Sequence, residues 1–560
     1  MSTSRPGPDI GYQPGKSPLN NVISLLERHR SASPDRTALL AVAAADRKAW
    51  QPGQSLPHAR ITIGELGRRV ESAAGGLSRL GVGPGDRVFV FVPMSVELYV
   101  AMFAVQRVGS IAVFLDSWAR RDQLGLCAQQ VKPKGFLGPA PAFALTQGVP
   151  ELAAAPLRIV VGPHQGAYTA SLDELAAAGL ACPICPVQQD DTALVTFTTG
   201  SSGPPKGANR THRFLAAQHH ALDDCLPYEP SDIDLPVFPI FSLNNLAGGV
   251  TTVLPAIDLA RPDPQDGALL LSQLLSTGAT GCTLSPSLLR AIAAAAARQG
   301  VTLDHVRRVA AGGAPISADD VAAVHAVAPR AAMHILYGST EVEPIAHLVA
   351  TAASFHAHDE GVCVGTLSHG LSAKLLRPVR GPITLSPQGW AEWEVPAGEV
   401  GELAVCGEHV CRDYFLNPEA FRNAKIVDEA GRVWHRTGDI CRLAPDGQLW
   451  VVGRVHSTIC RAGQLLFPVK PEIVMQRLPF VQAAAYLGLP HPQLGEEAVA
   501  AFAVKAGATG TDFPAQVRAA LATAAVVVDR VVQVDTIPLD PRHHSKVEYA
   551  QLREQLQGSA

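Results

Sequence analysis

The chain is 560 residues long, 47% hydrophobic and 17% charged, with a formal net charge of −4. Such a composition describes about three or four globular units with a large core, and it excludes a disordered polymer. No long basic run is present, so a nucleic-acid or anionic-membrane surface is not indicated.

The first eighteen positions, Met1 to Pro18, are polar and rich in proline and glycine, without the apolar stretch of a secretory signal. Residues Asn20 to Arg30 predict a short amphipathic helix, and Thr62 to Leu80 a second one that Gly81 ends. Gly83-Pro84-Gly85-Asp86 then turns into an apolar strand, Val88 to Val92. Ser95 caps a helix to about Arg107, and Ile111 to Leu115 gives the next strand. Pro93, Glu97 and Arg107 interrupt this apolar region, so it reads as a buried βαβ unit of a parallel sheet and not as a membrane span. Ile159 to Val161 and Ala193 to Phe197 repeat the buried-strand pattern. The ten cysteines show no framework; Cys182 and Cys185 form a CxxC without a second pair, which reads as incidental thiols in a reducing compartment. Cytoplasm is the expected location.

Directly after the strand that ends at Phe197 comes Thr198-Thr199-Gly200-Ser201-Ser202-Gly203-Pro204-Pro205-Lys206-Gly207. Glycines turn backbone N–H groups inward, hydroxyls add donors and the lysine adds a point charge, which together make an anion cradle. Phosphate loops of parallel sheets lie at the carboxyl ends of strands, where this stretch falls. It is not a Walker A loop, because Gly207 and not Ser or Thr follows Lys206. A surface turn is the plainer reading, but Pro204-Pro205 stiffens one end of it.

Further along, Asp232 to Leu246 reads as an apolar strand that ends in a phenylalanine-rich turn bearing asparagine, either core packing or a pocket wall. Ser285-Pro286 caps a helix through Ala297, with Gly300 beyond its end. Gly312-Gly313-Ala314-Pro315 follows another strand, and its small flat residues suit a stacked planar ring. In Tyr337-Gly338-Ser339-Thr340-Glu341 the aromatic can stack on a purine, a hydroxyl can donate to a phosphate and the carboxylate can hold Mg²⁺; a helix cap is the alternative. Gly361 to Gly365 and Gly401 to Gly407 read as short turn-linked strands of a small β subdomain. Thr437-Gly438-Asp439 places a carboxylate after a tight glycine turn, suited to two ribose hydroxyls. From Gly453 the composition changes, and strands at Ala483 to Leu487, Val499 to Val504 and Val531 to Val534 surround a helix from Asp512 to Ala525.

The segment TTGSSGPPKG resembles the phosphate-binding signature of the adenylate-forming superfamily of acyl-CoA synthetases, adenylation domains and luciferases. The later motifs follow in that family's order. Within it, Asp-x-Asp-Leu-Pro-x-Phe-Pro-x-Phe at 232–241 and Pro-x-Asp-x-Arg-His-x-x-Lys at 538–546 resemble the olefin β-lactone synthetases and the "fatty acid CoA ligase family" proteins beside them. The resemblance implies an α/β fold: a large N-terminal domain, 1–453, of helix-covered, mostly parallel sheets plus a small β subdomain, and a mobile α+β C-terminal lid, 454–560. It places ATP phosphates on Thr198, Thr199, Gly200, Ser201, Ser202, Gly203 and Lys206, and adenine against Gly313, Ala314 and Pro315. Tyr337, Gly338, Ser339 and Thr340 complete the nucleotide site, Glu341 holds Mg²⁺, Asp439 takes the ribose and Arg454 reinforces it. Phe238, Phe241, Ser242 and Asn244 wall the acyl pocket; Ser242 stands where many CoA ligases carry a histidine. His456 replaces the usual hinge Asp or Lys, Cys460 a usual basic residue, and Lys546 bridges the attacking carboxylate and the α-phosphate.

Lys546, Thr340, Glu341 and Lys206 are thus the expected catalytic set. The implied reaction activates a carboxylic acid with ATP and Mg²⁺ to acyl-AMP and pyrophosphate. The 3-hydroxyl of a long-chain 2-alkyl-3-hydroxy acid then closes a β-lactone. Transfer to CoA as a thioester is the alternative, and a non-catalytic nucleotide-binding scaffold a remote one. Expected partners are the small-molecule acid and pathway enzymes that make or use β-hydroxy acids, with no nucleic acid and no membrane span. The sequence leaves the oligomeric state open.

Overall fold

The computed structural model describes residues 15–115, 121–198, 205–259, 261–351, 354, 361–539 and 547–558, with the backbone alone at 121, 122 and 198. Helix α1 (Ser24–Ala32) starts later than its periodicity predicts, because Pro18 to Asn20 wind a separate short 3-10 turn capped by Ser17. The predicted βαβ unit then forms from β1 (Arg87–Val90), α2 (Val96–Arg107) and β2 (Ile111–Phe114). The Ser95 hydroxyl accepts from the Leu98 N–H to cap α2, and β1 pairs with β2 in parallel, Val88 opposite Ala112. Every residue of α2 except Glu97 is buried, as expected of a helix that is apolar all round. Alternation along β1 feeds two cores: Val88 and Val90 enter one, Phe89 and Phe91 the other.

Next to β2 lies β3 (Thr192–Thr198), parallel to it, and β4 (Lys206–Thr211) folds back antiparallel with Phe197 opposite Gly207. A side chain at 207 would meet Val195 Cγ1 at 2.8 Å, so glycine is needed where the two strands close. These strands end a seven-stranded sheet that is parallel except for β4.

After α3 (His212–Cys225), β5 (Ile233–Pro236) leads into α4 (Pro239–Ala247). The sequence predicts a turn at α4, and the structure has a helix. Pro239 occupies a first-turn position where its fixed φ favours helix and its missing N–H costs nothing. The asparagines that signal a turn are used elsewhere: Asn245 Nδ2 donates to buried Asp234 Oδ2 at 2.9 Å, and Asn244 Oδ1 pairs with His219 Nδ1 at 2.8 Å. Strand β5, the strand Gly281–Leu284, β6 (Arg308–Gly312) and β7 (Ala332–Ser339) run in parallel through a fourteen-stranded sheet. At β7 the direction reverses. Strand β8 (Val342–Ala350) pairs antiparallel with it across a two-residue turn, Thr340-Glu341, with Ser339 opposite Val342. The predicted small β subdomain is the antiparallel continuation of this sheet, joined through Ala346 opposite Leu367 and His347 opposite Thr366. It includes β9 (Val433–Leu443) and β10 (Gln448–Arg454).

Beyond β10, a separate five-stranded sheet contains the long hairpin of β11 (Val481–His491) and β12 (Gly495–Val504), and α5 (Val469–Gln476) packs on β11. Arg530–Val534 adds in parallel to β12, and α6 (Tyr549–Gly558) packs on β11. No helix among the described residues is long and apolar enough to cross a membrane.

Candidate active site

A cavity of about 1090 Å³ opens where the carboxyl ends of the parallel strands face the antiparallel extension. Lys206 at the start of β4, Gly313 after β6 and the residues Gly338 to Glu341 at the β7–β8 turn all line it. The turn is fixed by its backbone. Arg210 Nη2 donates to the Thr340 carbonyl at 2.7 Å, and the Cys411 N–H donates to the Glu341 carbonyl at 2.7 Å. Gly338 is required here, because a Cβ would lie 2.8 Å from the Val342 carbonyl oxygen. Thr340 and Glu341 therefore point from a rigid hairpin, not from a helix cap.

The Glu341 carboxylate accepts from the Tyr414 hydroxyl at 2.8 Å. Burial pushes its pKa up, yet His435, the Tyr414 hydroxyl and the Lys425 ammonium outweigh burial and hold it below the ordinary value. Burial drives His435 down to about 3 and lowers Lys425 as well, and the Tyr414 hydroxyl is the group hydrogen-bonded to the Glu341 carboxylate. A buried, ionised carboxylate whose oxygens face a phosphate-sized space fits a hard divalent cation such as Mg²⁺.

On the neighbouring wall Gly438 lines the cavity, its φ of +73° letting β9 deviate locally, and Asp439 follows it just outside the lining. Asp439 sits opposite Arg454 of β10, accepts from Arg454 Nε at 2.8 Å and from the Tyr337 hydroxyl at 2.6 Å. Sequence reasoning assigns Tyr337 to ring stacking; in the structure its hydroxyl is committed to Asp439, and Arg454 rather than Tyr337 lines the cavity. Ala314 and Pro315 follow Gly313 outside the cavity lining.

The opposite wall is apolar. Met102, Phe114, Leu194, Phe238, Phe241 and Leu336 face the same space as Lys206 and Glu341. Two residues predicted for this wall are elsewhere. Ser242 is wholly buried on α4, with the Tyr99 hydroxyl as its polar neighbour. Asn244 lines a smaller space behind α4.

Arg454 and His456 lie at the cavity edge, His456 in a short 3-10 turn, and burial lowers its pKa to about 4. Gly488 and Pro490 of β11, Glu496 of β12 and Arg553 and Gln557 of α6 close the same edge. Thr199, Gly200, Ser201, Ser202, Gly203 and Lys546 lie outside the described residues, and Thr198 is the last residue of β3. Sequence reasoning missed Arg210, Tyr414, Lys425 and the buried pair Arg436–Glu402, whose Nη2 and Oε2 are 2.6 Å apart on the cavity wall. Arg436 directly precedes Thr437-Gly438-Asp439 and Glu402 lies within Gly401 to Gly407, whereas Arg210, Tyr414 and Lys425 have no local pattern to mark them.

The family model described as AMP-binding enzyme matches residues 26–415. The chain belongs to that family. Among curated proteins it is 30% identical over 552 residues to an olefin beta-lactone synthetase of Xanthomonas campestris pv. campestris, covering 94% of this chain and 96% of that one. An olefin beta-lactone synthetase of Stenotrophomonas maltophilia is also 30% identical, over 84% of this chain and 86% of its own. A feruloyl-CoA synthase of Amycolatopsis sp is 29% identical over 78% and 82%. Among solved structures, ATP-bound MatB from Rhodopseudomonas palustris superposes with a TM-score of 0.77 at 22% identity, covering 96% of this chain and 99% of that one. The amide bond synthetase McbA from Marinactinospora thermotolerans gives 0.76 at 23%, over 95% and 99%. This AMP-binding enzyme thus shares the fold of ATP-bound MatB and of McbA.

Proposed function

We propose that this AMP-binding enzyme converts a long-chain 2-alkyl-3-hydroxy acid to its acyl adenylate and then to a β-lactone. The observation that carries the reading is the two-sided cavity: an apolar wall built on α4 and β2 faces Lys206, the Thr340-Glu341 turn and Arg454 across one space. The alkyl part of an acid has somewhere dry to lie while its carboxylate meets phosphate-binding groups.

A carboxylate oxygen attacks the α-phosphorus of ATP, the bond to the bridging β-oxygen breaks, and pyrophosphate leaves with the electron pair. The chain's own contribution is positioning and charge neutralisation. Lys206 and the 198–203 loop bind the β- and γ-phosphates, Thr340 donates to phosphate oxygen, and Asp439 with Arg454 holds the ribose. Glu341, backed by Tyr414, holds Mg²⁺, which when bound neutralises phosphate charge. Lys546 supplies the positive charge at the α-phosphate after rotation of residues 454–560 about His456.

In the second step the substrate's 3-hydroxyl oxygen attacks the acyl carbon and loses its proton to water. The bond from that carbon to the phosphate oxygen breaks, and AMP leaves. A tethered nucleophile gains a large effective concentration, which offsets part of the ring strain. Similarity to olefin beta-lactone synthetases over nearly the full length of both chains supports this second step. Transfer to CoA is the second reading, favoured by the likeness to a feruloyl-CoA synthase. Incubation with ATP, Mg²⁺ and a 2-alkyl-3-hydroxy acid, with and without CoA, separates them. Lactone without CoA is expected; a strict CoA requirement with a thioester product overturns the lactone step.

A further inference from the structure

Behind α4 lies a second, smaller pocket of about 50 Å³, enclosed by α1, α2, α3 and α4. Its walls are mostly apolar, including Leu25, Leu26, Phe103 and Leu222. Ile240 and Leu243, both half-buried on α4, line this pocket and the main cavity alike. Two polar residues in the pocket are incomplete. Gln106 and Gln218 are each 2% exposed, and neither Gln106 Oε1 nor Gln218 Nε2 has a hydrogen-bond partner. The other polar pair there, His219 and Asn244, is satisfied internally.

An apolar pocket of this size holds only a few heavy atoms. Filling it with methylene groups alone leaves an acceptor and a donor buried and unpaired, a cost larger than the gain from so few methylenes. A hydroxyl group, donor and acceptor at once, can accept from an amide such as Gln218 Nε2 and donate to an acceptor such as Gln106 Oε1. We infer that this pocket is a second acyl subsite that takes an oxygen-bearing chain end, a hydroxyl group, reached past Ile240 and Leu243. The inference rests on the acid-activating reading for the chain's route into the pocket.

The test uses acids graded in chain length, each as a methyl-ended and a hydroxyl-ended member. Direct binding is measured by calorimetry, and pyrophosphate release in parallel. At the length that reaches the pocket, the hydroxyl-ended acid is expected to bind about tenfold or more tightly than its partner, because a site built to hydrogen-bond a hydroxyl rejects the analogue lacking it. Gln218→Leu with Gln106→Leu should bring that ratio to about one or below, with the fold intact by circular dichroism. Equal binding at every length, the result expected of a pocket that holds water only, overturns the inference, as does a preference that survives both substitutions. Loss of pyrophosphate release with every acid while the binding preference persists would sink the acid-activating reading and leave the subsite standing.

Discussion

Replacing Tyr414 by Phe isolates one hydrogen bond. The Tyr414 hydroxyl donates to Glu341 Oε1 at 2.8 Å, and the tyrosine is 2% exposed. Phe keeps the ring beneath the Lys425 ammonium, 5.2 Å from its centroid, so packing changes little. A hydrogen bond to a charged group contributes about 1.5–3 kcal/mol. At about 1.4 kcal/mol for each factor of ten, the Glu341 carboxylate loses roughly one to two decades of preference for its ordered, ionised state. Removing an outer partner of a metal-ligating carboxylate typically costs about 10–100-fold in metal affinity, the same range. The assay is a Mg²⁺ titration of acid-dependent pyrophosphate release at saturating ATP, with a melting curve as control. Half-saturating Mg²⁺ should rise about 10–100-fold with the melting temperature nearly unchanged. An unshifted Mg²⁺ dependence would refute the assignment of Glu341 as the metal-holding carboxylate.

Lys546→Ala should lower pyrophosphate release on the order of 10²–10³-fold while ATP still binds; near-normal turnover removes Lys546 from the α-phosphate. Asp439→Ala should weaken ATP binding, since it removes the acceptor that Tyr337 and Arg454 share; unchanged ATP affinity counts against a ribose contact. Glu472 gives a pH signature. Burial raises its pKa to about 7, although the Tyr549 hydroxyl and the Tyr486 N–H donate to its carboxylate. Between the ordinary carboxylate range near about 4.3 and that raised value, the folded chain binds a proton that the unfolded chain does not. This contribution is therefore complete at acid pH and lost as pH rises through about 7. Glu472→Gln should flatten the fall in melting temperature over that interval; parallel curves for the two proteins would contradict it.

Local signals carried much of the fold. The βαβ unit of β1, α2 and β2 was readable because apolar runs, a serine cap and glycine turns agree at each step. The family resemblance likewise pointed to Gly313, Thr340, Glu341 and Arg454, which the structure brings to one cavity. Failures came where a long-range partner decides. Asn244 and Asn245 look like turn residues until His219 and Asp234 are seen to take their side chains. Arg210, Tyr414 and Lys425 have no pattern of their own; they matter because strand pairing and loop closure deliver them to the Thr340-Glu341 turn.

Transfer of labelled oxygen tests acid activation most directly. With a substrate acid carrying ¹⁸O in both carboxyl oxygens, attack of the carboxylate on the α-phosphorus followed by cleavage at the acyl carbon leaves one ¹⁸O in each AMP formed. Mass spectrometry of the AMP should show that single label, with pyrophosphate unlabelled. Unlabelled AMP, or label in inorganic phosphate beside ADP, would contradict an acyl adenylate at this site.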